Sequence, residues 1–391
     1  MYGVAAGHRG GSDTLVTHIP FNRSVLAGRE LEYVHQAAES MHLSGDGAFT
    51  RKCHALLEEM LGVAKVLLTT SCTHALEMTG LLLDIQPGDE VIVPSFTFVS
   101  TANAFVLRGA KPVFADSRPD TLNLDETQLE RLISKHTRAI VVVHYAGVAC
   151  EMDAILQIAK RHGLPVIEDN AQGLFGRYRG RPLGSIGDMA TLSFHETKNV
   201  TCGEGGALAL SNPSLIKRAE IIREKGTERS RFFRGQVDKY TWVDVGSSFL
   251  PSDLLAAFLY GQLEASDSIQ AKRRLLWATY RDGLEDWARP RGVRLPFVSA
   301  ECEQPCHMFY LLMPSLEQRQ RLISHLKGRQ IAALFHYLPL HLSDMGRRFG
   351  ARSGDCPVAE SIADRLVRLP LAAGLSAAEV ERVVEAVRDF S

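Results

Sequence analysis

A single lysine, Lys198, lies between two short apolar runs typical of β-strands, residues 191–194 and 207–210. A glycine-rich turn at residues 203–206 follows it, and such a turn can place the lysine at the bottom of a cleft. Burial lowers the pKa of an amine because it disfavours the charged form, and the neutral amine attacks carbonyl carbons. A surface lysine in a loop is the commoner alternative. The interpretation therefore depends on what the rest of the chain supplies.

A carboxylate, Asp169, directly follows the apolar run at residues 165–168. The ends of strands in a parallel α/β sheet face the ligand-binding cleft. Together with a lysine, an ionised carboxylate serves pyridoxal phosphate (PLP) chemistry, because it keeps the pyridine nitrogen protonated and the ring able to accept electrons. Capping of the turn after Asn170 is the alternative role of Asp169. Gln172 could lie against the cofactor or close the turn.

A hydroxyl-rich segment at residues 69–73 leads from an apolar strand straight into a helical pattern. The first N–H groups of a helix, its dipole and nearby hydroxyls form a binding site for an anion. By itself the pattern is weak, because Ser and Thr cap many helices. The candidate ligands of a cofactor phosphate are Ser71, Cys72, Thr73 and Ser193. Phe98 follows another strand and could stack on the pyridine ring, with packing in the core as the alternative.

Strands and helices alternate along most of the chain, which predicts an α/β fold with a mostly parallel sheet covered on both faces. Strands are expected at 66–68, 90–93, 112–114, 140–144 and 165–168, and helices at 27–41, 49–60, 73–83, 126–134 and 152–161. A long helical segment at 252–287 is expected to lead to strands at 307–313 and 331–336 and helices at 316–327, 358–367 and 377–390. We expect a flexible extension (1–18), a large domain (19–252), and a smaller C-terminal α+β domain (253–391) that includes the long connecting helix.

The composition excludes several classes of protein. The 391 residues contain 44 Lys and Arg against 45 Asp and Glu, so no basic excess indicates binding to nucleic acid or an anionic membrane. No apolar run approaches the roughly 20 residues that span a bilayer, and the first 18 residues lack the layout of a secretory signal. Seven cysteines, an odd number, favour reduced thiols, and no four-ligand zinc pattern is present. A cytoplasmic protein without a metal site is expected.

Four spaced motifs, TTSCTHALEM, PSFTFVSTANA, VIEDNAQG and SFHETKNVTCGEGG, together resemble the sugar-nucleotide aminotransferases of fold type I, the DegT/DnrJ/StrS family. The resemblance covers the chain from residue 19 to the C-terminus. It implies that Lys198 binds PLP and moves the proton, that Asp169 contacts the pyridine nitrogen, and that Gln172 and Phe98 flank the ring. It also implies that Cys72, Thr73 and Ser193 hold the phosphate, within a homodimer whose subunits share their active sites.

The long polar segment at residues 224–248 resembles family members that act on a dTDP-linked keto sugar. The expected reaction transfers the amino group of L-glutamate to dTDP-4-dehydro-6-deoxy-D-glucose, giving dTDP-4-amino-4,6-dideoxy-D-galactose and 2-oxoglutarate. The expected substrate-binding residues are His195, Arg231, Arg234, Lys239, His336, Tyr337 and His341. Another keto-sugar nucleotide aminotransferase acting at C3 or C4 is the first alternative, and a PLP-binding regulator without turnover is the second.

Two positions depart from the family pattern. One is Asn170, where alanine is commoner after the aspartate, and we expect only a small effect from it. At the other, many members carry an asparagine that reaches the cofactor phosphate of the partner subunit, and this chain has Ser248 there. Either Ser248 makes that contact across the dimer or the contact is lost.

Overall fold

The computed structural model describes residues 18–391, so the predicted extension at 1–18 lies outside the described residues except for His18. The N-terminal elements are α1 (Glu30–Glu39), α2 (Ala48–Leu61), β1 (Lys65–Thr69), α3 (Cys72–Leu82), β2 (Glu90–Pro94), α4 (Val99–Val106), β3 (Lys111–Ala115), α5 (Leu129–Leu132), β4 (Thr137–Val143), α6 (Met152–His162), β5 (Val166–Asp169), β6 (Arg177–Tyr178), β7 (Arg181–Pro182), β8 (Met189–Ser193) and β9 (Gly206–Leu210). The C-terminal elements are α7 (Ile216–Arg223), α8 (Arg229–Phe233), α9 (Asp253–Glu264), α10 (Ser266–Ala288), β10 (Cys302–Glu303), β11 (Phe309–Leu312), α11 (Leu316–Gly328), α12 (Asp344–Arg348), α13 (Pro357–Arg365), β12 (Leu366–Leu369) and α14 (Ala377–Arg388).

The central sheet has seven strands in the order β1-β9-β8-β5-β4-β2-β3. Strands β8, β5, β4, β2 and β3 run parallel, and only β9 is antiparallel to both of its neighbours in this sheet. Side chains alternate between the faces: Ile140 of β4 packs with Ile155 of α6, whereas Val141 packs with Leu76 of α3. The predicted α/β fold with a mostly parallel sheet is confirmed.

The C-terminal region contains two corrections to the predicted elements. The helix expected at 358–367 ends at Arg365, because residues 366–369 form β12, which pairs antiparallel with β11. Pairing between strands therefore overrides the local helical pattern. The strand expected at 331–336 forms only isolated bridges, Ile19 with Ile331 and Leu334 with Arg368.

Two further segments differ in length. The helix expected at 126–134 is only α5 (Leu129–Leu132) after a short 3₁₀ turn. The long helical segment is divided at Ala265 into α9 and α10. The reason lies in their partners: α9 packs against α1 and α2, whereas α10 packs against α14.

The hydrophobic core links distant parts of the chain. Ile19 is fully buried in the cluster formed by α10, α11 and α14, and α9 belongs to the cluster of α1 and α2. The boundary proposed at residue 252 remains a prediction.

Within residues 18–391, no helix is both long and apolar enough to cross a membrane.

Candidate active site

Lys198 lies in the turn between β8 and β9, as the glycine-rich pattern predicted. The turn is closed where the Phe194 N–H donates to Gly205 O at 2.8 Å and the Cys202 N–H donates to Phe194 O at 3.0 Å. Burial lowers the pKa of the Lys198 amine, whereas the nearby Cys72 thiol and Asp169 carboxylate oppose that shift. The lysine is thus biased toward the neutral amine that attacks a carbonyl carbon.

Asp169 ends β5 and is 5% exposed. Its Oδ2 accepts a hydrogen bond of 2.7 Å from the Thr101 hydroxyl, and its Oδ1 accepts one of 3.2 Å from the Ala171 N–H. Burial raises the pKa of this carboxyl, while Thr101, Ala171 and Lys198 act to lower it. A positive charge beside Asp169, such as a protonated pyridine nitrogen, would favour the ionised carboxylate further.

Thr101 is a residue of the site that the sequence analysis did not identify. Its hydroxyl also lies 2.8 Å from that of Thr97, and both residues are buried. The i, i+4 spacing of the two threonines at the start of α4 was the available signal.

The start of α3 forms a cradle for an anion. Ser71 caps the helix by accepting a hydrogen bond from the His74 N–H at 3.1 Å. The amides of Cys72 and Thr73 belong to the first turn and therefore have no partners within the helix. Gly206 lies so close that an added Cβ would be 2.3 Å from the Cys72 nitrogen, which only glycine permits.

Strand register brings Ser193 to the same place. Ser193 is paired with Gly206, and Gly206 is paired on its other side with Thr69, three residues before α3 begins. The predicted hydroxyl from the opposite side is therefore positioned beside the helix start. Thr73 also contacts α4, where its hydroxyl lies 2.8 Å from that of Ser100.

Gln172 and Phe98 meet at Tyr337. The Gln172 amide oxygen accepts a hydrogen bond from the Ala146 N–H at 2.7 Å, and its amide nitrogen donates to the Tyr337 hydroxyl at 3.1 Å. Phe98 is 56% exposed, and its ring centroid lies 6.2 Å from that of Tyr337. This exposure argues against the core alternative for Phe98, and stacking on the pyridine ring stays a prediction.

His336 lies in the same group. Its Nδ1 is 2.7 Å from the hydroxyl of buried Tyr145, and its ring stacks on that of Tyr337 with the ring centroids 3.5 Å apart. Burial and the charges of Arg368 and Lys198 lower the pKa of His336 well below its ordinary value. Nothing in the sequence analysis identified Tyr145 as part of this group.

A further residue that the sequence did not indicate is Arg368, on β12. Its guanidinium lies 4.7 Å from the centre of the Phe21 ring and donates from Nη2 to Phe335 O at 3.1 Å. Its Nε is buried without a hydrogen-bond partner among the described residues. Partial burial lowers the pKa of Arg368, so this group is a half-buried cation near Lys198.

The other two predicted substrate histidines make contacts within the chain. His341 is fully buried, with Nδ1 at 2.6 Å from the Ser95 hydroxyl and Nε2 at 2.9 Å from Glu360, so the structure gives it internal partners. His195 is partly exposed and lies 3.0 Å from the Thr197 hydroxyl.

The polar segment at residues 224–248 contains the short helix α8, which its weak periodicity did not predict. Arg231 pairs with Glu228, and Arg234 contacts both carboxylate oxygens of Glu220 at 3.0 and 2.6 Å. Lys239 is exposed.

Ser248 is also exposed, and its backbone forms an isolated antiparallel β-bridge with Glu224. The next residue, Phe249, accepts a hydrogen bond from the Thr70 N–H at 2.9 Å, which places the end of the segment beside the start of α3. In residues 18–391, no group of three or more His, Cys, Asp or Glu side chains is arranged to hold a metal ion.

These residues fit PLP in three respects. The free amides of α3 beside Gly206 suit a phosphate. The Asp169 carboxylate suits a protonated pyridine nitrogen. The Lys198 amine, with its lowered pKa, suits the aldehyde.

Comparison with known proteins agrees with this geometry. Residues 25–388 match the model of the DegT/DnrJ/EryC1/StrS aminotransferase family. The chain is 32% identical over 367 residues to the GDP-perosamine synthase of Caulobacter vibrioides, covering 93% of this chain and 95% of that one. It is 35% identical over 319 residues to the dTDP-3-amino-3,4,6-trideoxy-alpha-D-glucose transaminase of Streptomyces venezuelae, covering 81% and 80%.

A solved structure agrees as well. The aminotransferase TlmJ of Streptoalloteichus hindustanus superposes with a TM-score of 0.87 at 31% identity, covering 95% of this chain and 98% of that one. The seven cysteines of the present chain are all free. The chain therefore belongs to the DegT/DnrJ/EryC1/StrS family and is a PLP-dependent sugar aminotransferase of fold type I.

Proposed function

We propose that the protein transfers the amino group of L-glutamate to C4 of dTDP-4-dehydro-6-deoxy-D-glucose, giving dTDP-4-amino-4,6-dideoxy-D-galactose and 2-oxoglutarate. The observation that carries the chemistry is the neutral-biased amine of Lys198 beside the buried carboxylate of Asp169. The observation that favours this sugar is the sequence of residues 224–248, which resembles family members with that substrate. The product would serve the synthesis of a surface polysaccharide such as enterobacterial common antigen.

Lys198 acts as both base and acid in this proposal. Its Nζ takes the proton from the α-carbon of the amino donor and returns a proton later in the transfer, and burial shifts its pKa in the direction that favours the free base. PLP, when bound, supplies an electron sink for the developing negative charge and carries the amino group between the two substrates. Asp169 would hold a negative charge at the ring nitrogen of bound PLP, and Gln172 and Phe98 would flank its ring.

Arg368 supports an amino acid as the donor. The buried Nε of this half-buried guanidinium is unpartnered among the described residues, and the carboxylate of an amino acid provides an acceptor with a complementary charge. Phe21 and Phe335 hold the guanidinium in place.

The diphosphate of the sugar nucleotide needs cations, and Arg231, Arg234 and Lys239 supply them in the polar segment. The two arginines are paired with glutamates in the single chain, so they would exchange those partners for the diphosphate. We place this segment at the interface of a cytoplasmic homodimer, with Ser248 reaching the phosphate site of the partner subunit. Light scattering combined with an assay tests the dimer, and a fully active monomer would exclude it.

The substrate is tested with a panel of dTDP- and GDP-linked sugars that carry the keto group at C3 or C4. We expect turnover with L-glutamate to be highest for dTDP-4-dehydro-6-deoxy-D-glucose, and NMR of the product to show an axial amine at C4. Preference for a GDP sugar or for a C3 ketone would replace the proposed substrate with the alternative keto-sugar nucleotide. Cofactor binding without turnover on any member of the panel would favour a regulator.

A further inference from the structure

We propose that Tyr145 is a positioning residue that fixes His336 as a neutral imidazole whose Nε2–H donates a hydrogen bond to an oxygen of the substrate bound beside Lys198. The inference rests on the proposed function only for the identity of that substrate. The sequence reveals neither the role of Tyr145 nor the tautomer of His336.

The first step is the geometry of the imidazole. Tyr145 is 1% exposed and lies in the 3₁₀ turn directly after β4, and its hydroxyl is 2.7 Å from His336 Nδ1. The His336 ring stacks on Tyr337 at 3.5 Å and meets Phe96 at 90° with a centroid distance of 6.3 Å. Three aromatic residues and one hydrogen bond therefore hold this ring in a single orientation.

The second step is the location of the proton between Tyr145 and His336. Burial raises the pKa of the Tyr145 hydroxyl well above its ordinary value, so the phenol keeps its proton. Among residues 18–391, His336 is the only hydrogen-bond partner of that hydroxyl, so its proton has no other acceptor. The phenol therefore donates and Nδ1 accepts, which leaves the ring proton on Nε2.

The third step is the charge of His336. The groups that act on it are Lys198, Arg368 and His307, together with the two tyrosines that touch its ring. Burial and the two cations disfavour an imidazolium. His336 is thus a neutral donor, and it lies near enough to Lys198 to be influenced by the lysine's charge.

The fourth step is the acceptor. Tyr337 stacks on His336 and binds Gln172, so the donor stands at the edge of the proposed cofactor site. The acceptor is a substrate oxygen there, from either the carboxylate of the amino donor or the keto sugar. The two half-reactions distinguish these sources.

The test uses the PLP-loaded enzyme with histidines labelled with ¹⁵N, and the H336Q spectrum identifies the signals of His336. We expect wild type to show Nε2–H at neutral pH and Y145F to show a substantial Nδ1–H fraction. The matched control is Y280F, because Tyr280 is also fully buried and donates one hydrogen bond, to Pro370 O at 2.7 Å in the C-terminal cluster. Melting temperatures of the two variants report any general loss of stability.

Single-turnover rates are then measured separately with L-glutamate and with the keto sugar. We expect Y145F to slow the half-reaction whose substrate contacts His336 by roughly 3- to 10-fold relative to Y280F, the loss expected for one hydrogen bond. H336Q, whose amide nitrogen can reach the Nε2 position, should retain more of that rate than H336N. An imidazolium or Nδ1–H in wild type, or equal rates for Y145F and Y280F in both half-reactions, would overturn the proposal. Retention of the visible absorbance of bound PLP in Y145F would show that the proposed function itself still stands.

Discussion

The hydrogen bond from Thr101 to Asp169 offers a sharp test of how the carboxylate is kept ionised. Replacement of Thr101 by valine removes the hydroxyl that donates to Oδ2 at 2.7 Å and keeps the shape of the side chain. Because that bond lowers the pKa of Asp169, its loss raises the pKa further. The carboxylate then holds a protonated pyridine nitrogen less firmly.

The size of the effect follows from burial. A hydrogen bond to a charged group contributes about 1.5–3 kcal/mol, which corresponds to about one to two pKa units. Asp169 is 5% exposed, so water cannot replace the lost donor. We therefore expect T101V to bind PLP roughly 10- to 100-fold more weakly than wild type. Thr97 also loses its partner, which contributes only to stability.

The assay is a fluorescence or absorbance titration of the cofactor-free enzyme with PLP. T79V is the matched control, because the Thr79 hydroxyl is equally buried in a helix and donates to Leu76 O at 2.7 Å, away from Asp169. T101S restores a hydroxyl and should recover most of the affinity. If T101V binds PLP as tightly as T79V, Asp169 does not depend on Thr101 and the reasoning is refuted.

Two further predictions concern other charged groups. Two hydrogen bonds from Arg23, at 2.8 and 3.0 Å, together with smaller contributions from the Ser376 N–H and hydroxyl, lower the pKa of Glu379 from 4.5 to about 2. The stability that these bonds contribute is present above about pH 4.5 and is lost as the pH falls toward 2. Because Arg23 is 39% exposed, we expect E379Q to be less stable than wild type by only about 1 kcal/mol in urea unfolding at pH 7. The difference should shrink by pH 3. The control E385Q, at exposed Glu385, should show no such loss. R368Q should raise the KM for L-glutamate by roughly 10- to 100-fold and leave the KM for the keto sugar within about twofold, whereas R281Q, at an exposed ion pair, should change neither. An equal rise for both substrates would remove Arg368 from the donor site.

The part of the site that lies at strand ends could be predicted from the sequence. Asp169, the start of α3 and Lys198 each follow a short apolar run, and the carboxyl ends of parallel strands meet at one edge of a sheet. The register of β8, β9 and β1 adds what no motif specified, because it sets Ser193, Gly206 and Thr69 side by side.

The rest of the site depends on contacts between distant segments. Tyr145 follows β4 in a turn that reads as ordinary core, and its role appears only when His336 packs against it. Arg368 directly follows the helix predicted at 358–367, yet residues 366–369 form a strand because they pair with β11. Such pairing is not encoded in the local helical pattern, so neither Arg368 nor its contact with Phe21 could be anticipated.

The central claim, that Lys198 carries PLP, is tested most directly by reducing the PLP-loaded enzyme with borohydride and mapping the modified peptide by mass spectrometry. Reduction fixes the cofactor on the amine that binds it. We predict one phosphopyridoxyl group for each chain, located on Lys198, and none on Lys198→Ala treated in the same way. Modification of another lysine, or the same extent of labelling in the alanine variant, would contradict the account.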